Sequence, residues 1–401
     1  MNVCVAVEYR FVQLADGSVW TPNQYAWSFW RRYLDVFDHV RCLARLRRVD
    51  RVDTGWHRAD GPGVSFDAVP HYVGPAQCLL RAPGVWAAVQ QSIVPVDAYL
   101  LRVPGTLGTL AWRKLKQIAY PYGVEVLGDP YDVFAPGAVR HPLRPFLRWY
   151  TTRQLRLQCA DACLASYVTE HTLQRRYPAG GAHIGASCIE LSDDMFARAP
   201  RVRSAAGGPV RLIFVGSLEQ YYKGPDLLIR AVAETIGRGL DLQLTIIGDG
   251  RLRTALERLA AEVGCANRVH FTGALSNAQV SKHLDGADLF VMPSRTEGLP
   301  RAMIEAMARG LPCIGSDAGG IPELLAPEAI VPRGNLQALV DRICEVVTNT
   351  DGMRMMSARN LRHARSYRAD ALQRRRVEFY RGLKDITERR LRGELAGIGS
   401  A

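Results

Sequence analysis

Two glutamates, Glu297 and Glu305, bracket the stretch EGLPRAMIE, and a lysine, Lys223, sits in VGSLEQYYKGPDLLI just past an apolar run. Two carboxylates at a fixed spacing can share acid/base work on a glycosidic bond, or they can hold hydroxyl groups. Their separation decides between the two. A helix beginning near Pro300 leaves Glu297 in the preceding loop and puts Glu305 in the second turn. Eight residues of helix span about 12 Å and turn roughly 80° about the axis. A retaining bond-cleaving pair needs about 5 Å, so the spacing speaks for two holders with different partners. Between them lie the amides of Gly298, Leu299, Arg301 and Ala302, and amides at the start of a helix suit an anion such as a diphosphate. Pro300 fits the first helical position, where its missing N–H would lack a partner anyway. Taken alone, the pattern also fits a Glu297 that complements the helix dipole and a Glu305 that faces water.

These residues need elements to position them. From residue 210 onward, short apolar runs alternate with segments of helical period: VRLIFVG then PDLLIRAVAETIG, LQLTIIG then RLRTALERLAAEVG, RVHFTG, DLFVMPS then LPRAMIEAMARG, PCIGSD then GIPELLA. Continuous apolarity in the strands implies burial on both faces, hence a parallel sheet covered by helices on each side. In such a sheet ligands bind beyond the carboxyl ends of the strands, where SLEQYYKG, GDG, TGAL, SRTEG and SDAGG all fall. The first half reads as the same α/β alternation. It opens with NVCVAVEY, a long loop LADGSVWTPNQY, and a helix from about residue 22 to 36.

A chain of 401 residues exceeds what one core usually serves. The Pro/Gly-rich stretch 196–209 reads as a linker between an N-terminal domain, 1–200, and a C-terminal one, 209–368. A final helix, 369–392, is expected to pack back on the first. The net charge of +12 points to anionic partners, with phosphorylated small molecules preferred over nucleic acid. Basic amphipathic stretches at 142–158 and near the C-terminus suit peripheral contact with anionic lipid. Nine scattered cysteines without metal-ligand spacing fit reduced thiols. No run of 18 apolar residues exists, so the expected location is cytoplasmic, including the inner membrane face. No metal site is expected.

Taken in order and at this spacing, VGSLEQYYKGPDLLI, IIGDG, FTGAL, EGLPRAMIE and SDAGGIPELL resemble the donor half of retaining glycosyltransferases of family 4. That family has the GT-B fold, two Rossmann-like domains facing each other across a cleft. The resemblance implies a hexosyltransferase that uses a UDP- or GDP-type sugar and no metal or other cofactor, acting on a saccharide, lipid-linked or small-molecule acceptor in bacterial glycoconjugate or polysaccharide synthesis. It implies that Glu305 accepts hydrogen bonds from ribose hydroxyls, that Glu297 holds the transferred sugar, that Lys223 meets the diphosphate, and that the base lies near the backbone of Leu275. Two positions depart from the family pattern. Ser217 stands where an arginine is usual, with Arg301 as a substitute cation. Asp129 stands about where a histidine is usual, as a catalytic anion or as a turn residue. For the acceptor the candidates are Gly17, Trp20 and Tyr25 in the long loop, with Arg102 as an anion binder or a structural ion pair. A nucleotide-sugar 2-epimerase of the same fold and a turnover-free nucleotide- or polyanion-binding protein are the alternatives.

Overall fold

The computed structural model describes residues 1–22, 25–135, 141–201 and 208–395. Among them the first sheet holds β1 (Val3–Gln13), β2 (Val19–Thr21), β3 (Val40–Arg48), β4 (His57–Arg58), β5 (Val64–Pro70), β6 (Ala98–Val103), β7 (Gly123–Val126), β8 (Leu164–Tyr167) and β9 (Ala182–Gly185). The order β5-β3-β1-β6-β7-β8-β9 is parallel throughout, and β2 and β4 are antiparallel additions at the end of β1. The second sheet is wholly parallel: β10 (Val210–Val215), β11 (Leu242–Ile247), β12 (Val269–Gly273), β13 (Leu289–Met292), β14 (Cys313–Ser316) and β15 (Ile330–Val331), in the order β12-β11-β10-β13-β14-β15. Unbroken apolar runs make these strands because both faces are covered. Leu212, Ile213, Phe214, Leu289, Phe290 and Val291 are all buried.

The chain divides into two compact units. The first comprises Met1–Pro130, Phe146–Ala186 and Gln373–Ala401, and the second Tyr131–Pro145 and Ser187–Leu372. The second unit therefore begins before the 196–209 linker, of which 202–207 lie outside the described residues. The C-terminal helix, Ala369–Leu391, returns the chain to the first unit, where Phe379, Tyr380 and Leu383 share a core with Val5, Trp30, Tyr33 and Val40. Each such side chain contributes about 1.5–3 kcal/mol by leaving water. Gln373 reinforces the docking by donating to the Arg32 carbonyl at 3.1 Å and to Asp35 at 2.7 Å.

One local expectation fails. The segment after Tyr9 is a hairpin and not a long loop: β1 runs on to Gln13, turns through Asp16 and Gly17, and comes back as β2. Asp16 accepts the Ser18 amide at 2.9 Å and Gly17 has φ +84°, so the Asp-Gly pair does what it does in tight hairpins generally. Asn23 and Gln24 of that segment lie outside the described residues.

Candidate functional site

The order of the second sheet reverses between β10 and β13, because β11 and β12 continue to one side and β14 and β15 to the other. Loops leaving two such strands part from each other and open a crevice at their carboxyl ends. The loop after β10 carries Ser217 and Lys223, and the loop after β13 carries Glu297. Lys223 Nζ donates to Glu297 Oε1 at 2.5 Å, with side chains only 15% and 8% exposed. Ser294 Oγ donates to the same oxygen at 3.3 Å, and the ammonium sits 5.1 Å from the centre of the Tyr222 ring. Burial would lower the Lys223 pKa, but the Glu297 carboxylate and then the Tyr222 hydroxyl outweigh it and hold the pKa above the usual lysine range. The ammonium is therefore charged at any physiological pH.

A second set of contacts fixes the two loops to each other. Arg295 spans them: its guanidinium grips Asp226 with two bonds of 2.8 Å and reaches the Tyr221 carbonyl at 2.7 Å, while its amide donates to the Tyr222 carbonyl at 2.6 Å. Gly224, at φ +73°, caps the helix Pro225–Gly237, and a Cβ there would lie 2.2 Å from the Pro293 carbonyl oxygen. The loop after β14 closes in from the other side. Gly319 has φ +52°, a Cβ on it would meet the Glu297 carbonyl oxygen at 2.0 Å, and Gly320 donates to the Gly298 carbonyl at 2.6 Å. Sequence reasoning missed Arg295, Asp226, Ser294 and Tyr222. The signal was present in the flanks of the motifs, SRTEG and YYKGPD, whose opposite charges lie 69 residues apart.

Glu305 lies in the second turn of the helix Arg301–Ala308, and Pro300 is its N-cap, one position earlier than expected. Gly298 and Leu299 precede the helix, and Arg301 and Ala302 open it. The Glu305 carboxylate makes no hydrogen bond or ion pair with another described residue. Burial pushes its pKa above the usual carboxylate range, opposed by the charge of Arg301. Such a group is an acceptor awaiting donors. Ser217 is exposed and its hydroxyl takes the Glu219 amide at 3.3 Å. Leu275 follows β12, half-buried, just before the helix Asn277–Gly286. GDG, 248–250, is a structural brace for the loop after β10. The Leu218 amide donates to the Asp249 carbonyl at 2.9 Å, and the Leu252 amide to the Leu218 carbonyl at 3.0 Å.

In the first unit two expectations need correction. Asp129 is buried and already neutralised, bound by the Arg176 guanidinium and by the Tyr177 hydroxyl at 2.5 Å. It is therefore a structural anion and not an uncompensated catalytic one. Arg102 is buried against Glu125, and Tyr33 and Tyr380 complete the network, the latter donating to Glu125 at 2.9 Å. It is the structural ion pair and offers nothing to an acceptor. Tyr25 is also committed to packing, its ring within 4.8–6.3 Å of the rings of Tyr9, Phe11, Phe29 and Trp30. Gly17 and Trp20 remain on the hairpin, with the Trp20 indole donating to Ser18 Oγ at 2.9 Å. Beside the hairpin a hollow of about 700 Å³ is lined by Trp27, His57, Arg58 and Asp60.

Two doubly wound units, the second with an anion-directed crevice at its switch point, define the GT-B class of transferases. Residues 209–349 match the family "Glycosyl transferases group 1". The chain is 27% identical over 320 residues to Protein CapJ of Staphylococcus aureus, spanning 78% of this chain and 80% of that one. It is 28% identical over 229 residues to a GDP-mannose-dependent phosphatidylinositol monomannoside mannosyltransferase of Corynebacterium glutamicum, spanning 53% and 60%. Among solved structures, sucrose-phosphate synthase from Thermosynechococcus elongatus superposes with a TM-score of 0.70 at 17% identity, covering 96% of this chain and all of that one. The protein is a glycosyltransferase: residues 209–349 match the group 1 family, and the relatives support that reading over the epimerase and the turnover-free alternatives.

Proposed function

We propose that the protein transfers a hexose-type unit, with retention of configuration, from a UDP- or GDP-linked sugar to a saccharide, lipid-linked or small-molecule acceptor in bacterial glycoconjugate or polysaccharide synthesis. The observation that carries this is the Lys223–Glu297 pair at the switch point. A diphosphate offers Lys223 a stronger partner than one carboxylate. Once the lysine turns to it, Glu297 is released to accept from the hydroxyls of the sugar. Lys223 and the amides opening the Arg301–Ala308 helix then stabilise charge on the departing diphosphate, the kind of preorganised stabilisation that dominates such steps. Glu305 takes the ribose hydroxyls, and the base lies along the backbone at Leu275. Arg301 supplies the charge that Ser217 lacks. A C. glutamicum relative carries a name that specifies GDP-mannose and an inositol lipid, which supports a nucleotide-sugar donor and an acceptor at a membrane. With the cations built into the protein, transfer proceeds in the presence of a chelator.

The test is a thermal-shift series with UDP-, GDP-, ADP- and dTDP-sugars, since a ligand that binds only the native state raises its melting temperature. One donor class should raise it in wild type and raise it less in Glu305→Gln. No shift with any of them at millimolar concentration sinks the donor-site reading. The anomeric proton coupling of the product separates retention from inversion.

A further inference from the structure

Helices Gly74–Leu80, Ala82–Ser92, Thr106–Gln117 and Arg144–Asp161 lie in the crossovers from β5 to β6, β6 to β7 and β7 to β8. Consecutive crossovers taken in one direction along a parallel sheet are right-handed, so they share one face, and each helix runs antiparallel to the strands. The contacts agree. Ala82–Ser92 packs on Thr106–Gln117, which meets Arg144–Asp161 through Trp112 to Asp161 at 3.0 Å, Gln158 to Thr109 at 2.8 Å and Arg113 to the Tyr150 hydroxyl at 3.0 Å. All of these helices therefore start at the carboxyl edge of the first sheet.

That edge is apolar where it should be wet. Gly74–Leu80 has no buried residue, Leu79 and Leu80 are 76% and 84% exposed, and Phe146 and Trp149 are 54% and 57% exposed. A scattered exposed leucine needs no explanation, but Leu79 and Leu80, where one helix gives way to the next, and Phe146 and Trp149, at the start of another in the same layer, do. The charge around them is mostly positive. Residues 74–92, 106–117 and 144–161 hold eight Arg or Lys and one acid, Asp161, which pairs with Lys116, in a chain whose net charge is +12. Phe146 lies 5.9 Å from Trp149 and 5.8 Å from Tyr150, ring centre to ring centre, and the Arg153 guanidinium lies 5.8 Å from the Trp149 ring. Aromatic and leucine tips among long basic side chains match a bilayer interface, where the tips enter the acyl boundary and the charged heads stay with the phosphates. Stable peripheral binding takes two weak signals together, apolar insertion and a polybasic surface, and both are here.

We propose that the edge formed by Leu79, Leu80, Phe146 and Trp149, with Arg81, Arg148 and Arg153 around it, docks on anionic phospholipid bilayers. The proposal deepens, and rests on, the reading of the acceptor as lipid-linked. The experiment is flotation of the full-length protein with vesicles of phosphatidylcholine alone or with a third phosphatidylglycerol. Wild type should favour the anionic vesicles by about tenfold, less so as salt rises. Leu79→Ser/Leu80→Ser and Phe146→Ser/Trp149→Ser should each lose about tenfold in binding, at an unchanged melting temperature. Equal binding to both vesicle types, no flotation, or full binding by both paired variants overturns the proposal. So does self-association of the wild type, seen by sedimentation velocity, that the Leu79/Leu80 variant lacks, because the surface would then belong to a second copy. Because no donor or acceptor is present, failure here leaves the donor thermal shifts standing as a separate result.

Discussion

Two largely buried pairs of a basic side chain with a glutamate, Arg102–Glu125 on the first sheet and Lys223–Glu297 on the second, have different fates. In the first unit Arg102 and Glu125 face each other in register on adjacent strands, β6 and β7. They are sealed by Tyr33 and Tyr380 and overlaid by Phe29, whose ring centre lies 5.0 Å from the guanidinium. In the second unit Lys223 and Glu297 come from two loops that part at a switch point, with glycine backbone where a wall of side chains could stand. The first pair is bonded from within the protein, by Tyr33 and Tyr380, with only the Arg102 Nε left without a hydrogen-bond partner among the described residues, and has no reason to open. The second is braced from behind, by Arg295 and Asp226, and has a flexible lysine that can exchange one anion for another. Burial and charge alone do not distinguish the two. Strand interior against strand end does.

The largest effect that tests this contrast is on turnover. Lys223→Ala should lower kcat by about 10²–10³-fold while costing clearly less stability in urea than Arg102→Ala, because the Glu297 carboxylate lies at the crevice and can reach water. If it unfolded as easily as an Arg102 variant, the two pairs would be the same kind of object. Arg102→Ala, conversely, strands a carboxylate among tyrosines and should cost about 3–5 kcal/mol of stability, with donor-induced thermal shifts preserved in whatever protein remains folded. Glu305→Gln sharpens the picture inside the donor site. The Glu305 pKa is raised by burial, so its ionised form opposes folding: the stability it contributes is full below the unfolded pKa and is lost as pH rises through the folded value. The neutral amide should therefore melt slightly higher than wild type at neutral pH and converge with it in acid, while nucleotide affinity falls about tenfold, as expected when a charged hydrogen-bond acceptor is lost. The smallest change is expected for Ser217→Arg, a shift of a few-fold in donor KM; a large loss of activity would mean that the exposed Ser217 position has no room for the arginine.

The second unit was nearly readable strand by strand, because a parallel sheet covered on both faces writes itself as uninterrupted runs such as VRLIFV and LQLTII. The hairpin at Asp16–Gly17 was readable too, and went unread because the alternation in FVQLADGSVWT is weak, with the consecutive residues Phe11 and Val12 both buried. The fates of Arg102 and Asp129 were not in the local sequence. Glu125 lies 23 residues from Arg102, Tyr380 reaches Glu125 from 255 residues away, and Tyr177 reaches Asp129 from 48. Only the folded topology says whether a charge at a strand end has been answered from elsewhere in the chain. The charges of the Arg295–Asp226 brace stood in the motif flanks, but their pairing across 69 residues did not.

The path of the chain has a practical bearing on how the protein can be cut. The family match ends at residue 349, and a basic, repetitive-looking helix near a C-terminus invites trimming. Yet that helix leaves the second unit at Leu372 and enters the first, where Tyr380 donates to Glu125 and Gln373 ties down the end of the helix Trp27–Leu34. Removing it takes a wall out of the first unit, so the longer segment of the second unit, Ser187–Leu372, is spliced into the first as an insertion. Dissecting the enzyme calls for joining residue 186 to 373, with the last helix left in place.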